Sequence, residues 1–237
     1  MKVVSDSLID VFKEIDALNI RSVIATPEDG GLYVHAMDPS CTSIIKAKIK
    51  ADTFPEGCDV TEPICFSIPF MLDALIRGEI CDMTVGNGQI VIKYAKSKRS
   101  QRLIAPEDKP RPVPALEELD TCVLMSDDIL SIVKQTCFSE IKSENGGVNI
   151  TMTDSGLKFS VTSDVESAEM NIDGTTALED GEQSAVFGVG LLMPLLKGLP
   201  KSTVVTVSMK TNLPMILTVD EDTYSMDVFI APIIVQE

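Results

Sequence analysis

Tryptophan is absent and histidine occurs once, as His35, in this chain of 237 residues. Metal centres built on several imidazoles are therefore excluded, and His35, on a predicted strand, reads as a structural side chain. Positive charge is scarce. Only 20 lysines and arginines stand against 36 aspartates and glutamates, a formal net charge of -16. This balance excludes a protein that grips nucleic acid over its whole surface, but not one that touches DNA on a small inner face. No apolar run approaches the roughly 20 residues of a membrane span. The opening Met1-Lys2-Val3-Val4-Ser5-Asp6 has no signal-peptide apolar stretch. Cys41, Cys58, Cys65, Cys81, Cys122 and Cys137 include no CxxC pair, which points to buried thiols in a reducing cytosol rather than to disulfides or zinc. No GxSxG, HExxH, P-loop or GxGxxG motif occurs, and no catalytic constellation emerges. Asp38, Asp52 and Asp59 form an imaginable metal cluster but read as solvated turn carboxylates.

What the chain does have is a repeat. Ser5-Asp6-Ser7-Leu8-Ile9-Asp10-Val11-Phe12-Lys13 recurs as Ser126-Asp127-Asp128-Ile129-Leu130-Ser131-Ile132-Val133-Lys134. Asp29-Gly30-Gly31-Leu32 recurs as Asp154-Ser155-Gly156-Leu157, and Phe66-Ser67-Ile68 through Arg77-Gly78 recurs as Phe187-Gly188-Val189 through Lys197-Gly198. Three matches in one order, at nearly one offset, indicate two homologous domains. The hydrophobic share of 44% is enough for each half to bury a small core.

Ser5 to Leu18 carries apolar residues at helical period, with Ser5 or Asp6 as N-cap. Val23 to Ala25, Gly31 to Met37 and Ser43 to Ile49 read as strands, broken by Pro27-Glu28-Asp29-Gly30 and Asp38-Pro39-Ser40. Ile68 to Ile76 is a second helix, with Pro69 in its first turn. Met83 to Val85 and Gln89 to Ala95 form a hairpin across Gly86-Asn87-Gly88. The second half repeats the plan: helices over Ser126 to Cys137 and Val189 to Leu196, and strands at Gly147 to Thr153, Leu157 to Ser163, Ala168 to Ile172, Thr203 to Met209, Met215 to Val219 and Met226 to Ile230. Each half is thus an α+β unit with antiparallel sheets. Between them, Pro106, Pro110, Pro112 and Pro114 forbid a helix and favour an extended connector, with Leu116 and Leu119 pinning its end to the surface. The reading is a first domain over 1–105, a connector over 106–122 and a second domain over 123–237.

Ala36-Met37-Asp38-Pro39-Ser40, after a Gly-Leu strand, resembles the A-M-D-P/S-S/A segment of proliferating cell nuclear antigen (PCNA), the sliding-clamp family of archaea and eukaryotes. Leu213-Pro214-Met215-Ile216-Leu217 is similar to its x-P-L-x-L strand. Phe229-Ile230-Ala231-Pro232 and the acidic end resemble its closing Y-L-A-P-[KR]-[IV]-E. The resemblance covers essentially the whole chain, and bacteriophage clamps of similar plan leave a virus-encoded origin open. It implies a duplicated clamp fold in a ring of six like domains, three chains around duplex DNA, with helices lining the hole and sheets outside. It implies no enzymatic activity and no cofactor. Such a clamp tethers DNA polymerase and other replication and repair proteins as a processivity factor and is opened by an ATP-dependent loader. The setting is the cytoplasm of an archaeal or virus-infected cell, or the nucleus of a eukaryotic one. Encirclement holds DNA topologically, so contacts can stay weak, phosphate-directed and sequence-blind.

Three sets of residues follow from the resemblance. The DNA-facing candidates are Lys13, Arg77, Lys134 and Lys197, each of which equally reads as a solvated helix residue. The polar face of the first helix, with Asp6, Asp10, Lys13 and Glu14, is nearly balanced, where the family carries several basic residues. The partner-peptide pocket is carried over as Met37, Cys41, Leu116, Leu119, Pro214, Phe229, Ala231 and Pro232, with Cys41 where eukaryotic members have histidine. The tail continues Pro232-Ile233-Ile234 where the family usually has a basic residue after the proline. The subunit contact is expected between the basic segment with Lys96, Lys98, Arg99 and Arg102 and the acidic segment with Asp164, Glu166 and Glu169. Two other readings stay open: a PCNA-like scaffold or antagonist that binds replication proteins without being loaded on DNA, and an enzyme with an acidic metal site.

Overall fold

The computed structural model describes residues 1–105, 116, 118–137, 146–179 and 181–234. The chain divides into two compact units, Met1–Pro112 with Asp220–Asp227 and Val113–Val219 with Val228–Glu237.

The first unit runs β1 (Lys2–Val4), α1 (Ser5–Ala17), β2 (Ser22–Glu28), β3 (Gly31–Met37), β4 (Ser43–Ile49), a 3-10 turn (Ala51–Thr53), β5 (Ile64–Ser67), α2 (Ile68–Ala74), β6 (Ile80–Gly86), β7 (Gln89–Tyr94) and β8 (Ser97–Arg102). Its strands pair antiparallel in the orders β1-β6-β7-β8 and β4-β3-β2-β5. The apolar stripe of α1, Leu8, Val11, Phe12 and Ile15, is buried. Phe12 meets Phe66 of β5 edge-on, with ring centroids 5.5 Å apart. Residues Asp220–Asp227 belong to this unit. The Lys50 N–H donates to the Thr223 carbonyl at 2.8 Å, the Ser7 hydroxyl donates to the Thr223 hydroxyl at 2.8 Å, and Lys50 Nζ pairs with Asp220 at 2.6 Å.

The second unit continues with β9 (Asp120–Met125), α3 (Ser126–Thr136), β10 (Gly147–Thr153), β11 (Gly156–Thr162), β12 (Ser167–Asp173), β13 (Thr175–Ala177), β14 (Gln183–Gly188), α4 (Val189–Gly198), β15 (Val204–Met209) and β16 (Met215–Asp220), and the residues of β17 (Tyr224–Ile230) are divided between the two units. Its strands pair in the orders β13-β9-β15-β16 and β12-β11-β10-β14, again antiparallel. Apart from β13, which has no counterpart beside β1, this is the first unit again, with β9 in the place of β1, β15 of β6, and β12-β11-β10-β14 of β4-β3-β2-β5. The fold is α+β, with helices and antiparallel sheets in duplicate.

The repeated Ser-Asp pairs do different work from the cap that the sequence suggests. Helix α1 begins at Ser5 itself, after Val4, and has no side-chain cap. Instead the Ser5 N–H donates to the Glu79 carbonyl at 3.2 Å, and Asp6 Oδ1 accepts from the Gly78 N–H at 2.9 Å. In the second unit the Ser126 N–H donates to Thr203 at 2.9 Å, and Asp127 accepts from the Ser202 N–H at 2.9 Å and from the Ser202 hydroxyl at 3.0 Å. In each unit the pair clasps the start of one helix to the turn that follows the other. A carboxylate receiving backbone N–H groups is the stronger kind of hydrogen bond.

The repeated glycines are also explained by contact. A Cβ on Gly31 would sit 2.0 Å from the Ile49 carbonyl oxygen, and one on Gly156 would sit 2.0 Å from that of Ile172. Both glycines open the second strand of a hairpin where the third strand's backbone crosses close by.

Several elements differ from the sequence expectation. Strand β2 runs through Pro27 to Glu28, because β5 pairs only as far as Ala25 and the missing proline N–H faces no strand. The turn is confined to Asp29 and Gly30, at φ 47 and 75. Strand β9 starts at Asp120, inside the expected 106–122 connector, and Pro106, Pro110, Pro112 and Pro114 lie outside the described residues. Helix α2 ends at Ala74, two residues early, with the Ser67 hydroxyl accepting from the Phe70 N–H as its cap. Cys41 is exposed and Cys58 half-buried, so burial covers four of the six cysteines, not all. Burial pushes the Cys122 thiol up to about 11.

Two substitutions test these ties. Asp127→Ala removes the clasp of a partly exposed loop and is expected to lower the free energy of unfolding by about 1–2 kcal/mol. Gly31→Ala forces a side chain onto backbone and is expected to cost about 1–3 kcal/mol or more. Urea unfolding of the full chain measures both, and equal midpoints for Gly31→Ala and wild type would contradict the close-approach account.

Candidate functional site

The helix faces come first. Lys13, Lys134 and Lys197 are exposed on α1, α3 and α4. Arg77 lies just after α2 and is not available in the same way. Its guanidinium bonds to the Asp10 carboxylate and lies 3.6 Å from Asp6. The Asp10 bond, with Asp10 and Asp6 charge behind it, holds the guanidinium above its usual value. A cation already shared by two carboxylates offers little net charge to a phosphate. Glu14, expected on the polar face of α1, is instead fully buried. The solvent-facing charges of α1 are therefore Asp6, Asp10, Lys13 and Asp16, a net acidic surface.

The sheet edges come second. Strand β8 pairs with β7 and carries Lys98, Arg99 and Arg102 on an almost wholly exposed strand, with Lys96 in the turn before it. Strand β12 pairs with β11 and is exposed at every second residue. Asp164 and Glu166 lie not in this strand but in the turn that leads to it, where the Ser163 hydroxyl accepts from the Glu166 N–H at 3.1 Å. Glu169 is on β12 and is engaged by Lys158 of β11 at 2.9 Å. Each segment thus ends a sheet, one basic and one acidic, with Glu169 partly neutralised inside its own unit.

The residues carried over for a partner pocket fall on both units. In the first, Met37 ends β3 half-buried and Cys41 is exposed at the tip of the Asp38–Ser43 loop, at φ 59. This loop is built on Asp38. The carboxylate accepts from the N–H groups of Ser40 at 3.0 Å, Thr42 at 2.7 Å and Ser43 at 2.5 Å, and from the Ser40 hydroxyl. Asp38 is 5% exposed. Its lone pairs are taken up by its own loop, so it is not the solvated turn carboxylate that the sequence suggests. Among the described residues no group of three acidic, histidine or cysteine side chains could hold a metal ion. In the second unit, Leu116, Leu119, Pro214, Phe229, Ala231 and Pro232 are all half-buried. Lys210 approaches Glu118 at 3.9 Å beside Leu119.

The apolar tail has a structural role that sequence reasoning missed. The Ile233 N–H donates to the Val186 carbonyl of β14 at 2.7 Å, and its side chain lies against the Cα positions of Gly147 and Gly188. The first unit repeats this exit, with the Ile104 N–H donating to the Cys65 carbonyl of β5 at 2.9 Å. His35 sits on β3 opposite Lys46. Burial, and then the Lys46 charge, lower its pKa, so it stays neutral near pH 7, as a structural histidine does.

No protein-family model and no curated protein matches the chain by sequence. Solved structures do match by shape. A. fulgidus PCNA bound to the C-terminal region of FEN-1 superposes with a TM-score of 0.85 at 17% identity, covering 100% of this chain and 99% of that one. PCNA from Thermococcus kodakaraensis superposes with a TM-score of 0.83 at 17% identity, covering 98% and 99%. With both units accounted for from end to end, the chain has the PCNA sliding-clamp fold.

Proposed function

We propose that this protein is a DNA sliding clamp: a ring, most simply of three identical chains, that encircles duplex DNA and tethers DNA polymerase and other replication and repair proteins. The observation that carries this reading is the end-to-end match of both units to PCNA. The chain acts by topology, and no catalytic step is assigned to it. Lys13, Lys134 and Lys197 are the proposed phosphate contacts, with Arg77 reduced by its two carboxylate partners. An ATP-dependent loader would open the ring, in the cytoplasm of an archaeal or virus-infected cell or in a eukaryotic nucleus. The net acidic face of α1 favours a second reading, a clamp-shaped scaffold that binds replication proteins off DNA. Loading onto nicked circular DNA separates the two. A clamp stays on the circle and is lost when the circle is cut to a linear molecule, whereas a scaffold shows no retention that depends on circularity.

The ring would close through β8 of one chain and β12 of the next. Both are sheet edges, and an unpaired edge is a template for another strand. Lys96, Lys98, Arg99 and Arg102 would face Asp164 and Glu166, with Glu169 shared with Lys158. Exposed pairs contribute about 0–1 kcal/mol each, so several act together and salt weakens them. In sedimentation, Lys98→Glu/Arg102→Glu is expected to dissociate at lower salt than wild type. Full assembly of that double mutant across the salt range would place the subunit contact elsewhere.

The partner pocket would be lined by Met37, Cys41, Leu116, Leu119, Pro214, Phe229, Ala231 and Pro232. The support is the A. fulgidus structure, in which PCNA holds the C-terminal region of FEN-1. Apolar side chains in such a groove anchor a short peptide, and its extended part lies beside a strand. Leu116→Ala and Phe229→Ala are each expected to weaken binding of a clamp-binding peptide by about 1–4 kcal/mol, with the oligomer intact. Calorimetric affinities equal to wild type in both variants would remove the pocket from this account.

A further inference from the structure

The two units repeat one small device with different outcomes. In the first, Val4 pairs with Ile80, and the turn Arg77-Gly78 lies just before that pair, with Gly78 at φ 80 donating its N–H to Asp6. In the second, Met125 pairs with Val204, and the turn Lys201-Ser202 lies just before it, with Ser202 at φ 55 donating its N–H to Asp127. Strand register therefore makes Lys201 the counterpart of Arg77, although the sequence repeat sets Arg77 against Lys197. Counted from Ser5 and Ser126, where α1 and α3 start, the counterpart of Asp10 is Ser131.

That one exchange decides what each cation can do. Arg77 bonds to Asp10, whose side chain is 16% exposed, and lies 3.6 Å from Asp6. Asp6 and Asp10 are one helical turn apart, so a single guanidinium spans both. In the second unit Ser131 offers only a hydroxyl, which accepts from Gln135 Nε2 at 2.9 Å. Asp127 spends one oxygen on both the N–H and the hydroxyl of Ser202. Among the described residues, Lys134, Lys197 and Lys201 are exposed and none enters an ion pair.

We propose that the phosphate-contacting surface belongs to the second unit, with Lys201 as a contact together with Lys134 and Lys197, and that Asp10 withholds the matching Arg77 in the first. This rests on the clamp reading and deepens it: the ring would touch DNA through alternate domains. Lys13, the remaining exposed cation of α1, stands one turn from Asp10 and one from Asp16, which offset its charge. A lysine ammonium is a compact, hydrated point charge on a flexible stem, suited to brief phosphate contacts that do not stop sliding.

The test measures binding of a short fluorescent duplex by the assembled full-length protein over a low-salt range, with sedimentation confirming equal assembly at each salt. Loss of one phosphate contact costs about tenfold in affinity near 0.05 M salt and flattens the slope of log affinity against log salt by about 0.9. Lys201→Gln is expected to bind about tenfold more weakly, with the flatter slope. Asp10→Ser, which installs the second unit's residue, is expected to bind about tenfold more tightly, with a steeper slope, because Arg77 is released. Lys48→Gln removes the same charge from β4, where Lys48 pairs with Asp29 at 2.6 Å, and is expected to keep the wild-type slope. Equal slopes for Lys201→Gln and Lys48→Gln, or an unchanged slope in Asp10→Ser, would overturn the proposal. Should Asp10→Ser fail to fold, Asp10→Asn removes the charge at constant shape and decides the same point. Retention on nicked circular DNA judges the clamp reading separately, so a wild type that is retained there alongside either overturning slope sinks this proposal alone.

Discussion

Backbone pairing between segments far apart in the chain is the constraint on which the rest of this structure depends. Each unit joins its first strand to the strand that follows its second helix, β1 to β6 and β9 to β15. Asp6 and Asp127 reinforce that junction by receiving N–H groups from the same turn, and Ser5 and Ser126 by donating their N–H groups to its carbonyls. Once the junction is made, the two helices of a unit pack against each other, and their apolar stripes are buried. Gly31 and Gly156 let a third strand approach closely enough to complete the second sheet. Removing these ties would loosen the helices together with the strands, since they share one set of partners.

The distribution of charge matters more than its total. A chain with a net charge of -16 still gathers basic residues on one exposed edge strand, β8. Its helix faces, by contrast, hold more carboxylates than amines, and Arg77 is used internally. In the proposed clamp a weak inner face would be tolerated, because dissociation from an enclosing ring requires opening rather than the breaking of contacts. Under the proposed reading, positive charge concentrated at an edge would serve assembly and register instead.

Much of the fold was legible because local chemistry and tertiary packing agree. The alternation in Gly31–Met37, Ser43–Ile49 and Gly147–Thr153 marks half-buried strands with the observed bounds. The elements that escaped, β1, β5, β9, β13 and β14, are three to six residues long and carry too few periods for alternation to register. The candidate surfaces were legible only by position. Nothing local distinguishes Lys134 from Arg77, and both are exposed, yet Arg77 is held by two carboxylates.

The sequence by itself determined the duplication, the α+β class and the opposite charges of the two segments at 96–102 and 164–170, because repeats, periodicity and charge are local properties. Only the tertiary structure decided that Glu14 is buried while Lys13 beside it is exposed, that Asp6 and Asp127 are clasps rather than caps, and that Ile233 is pinned to Val186. Those outcomes depend on which distant backbone lies opposite a side chain, and no spacing along the chain encodes that.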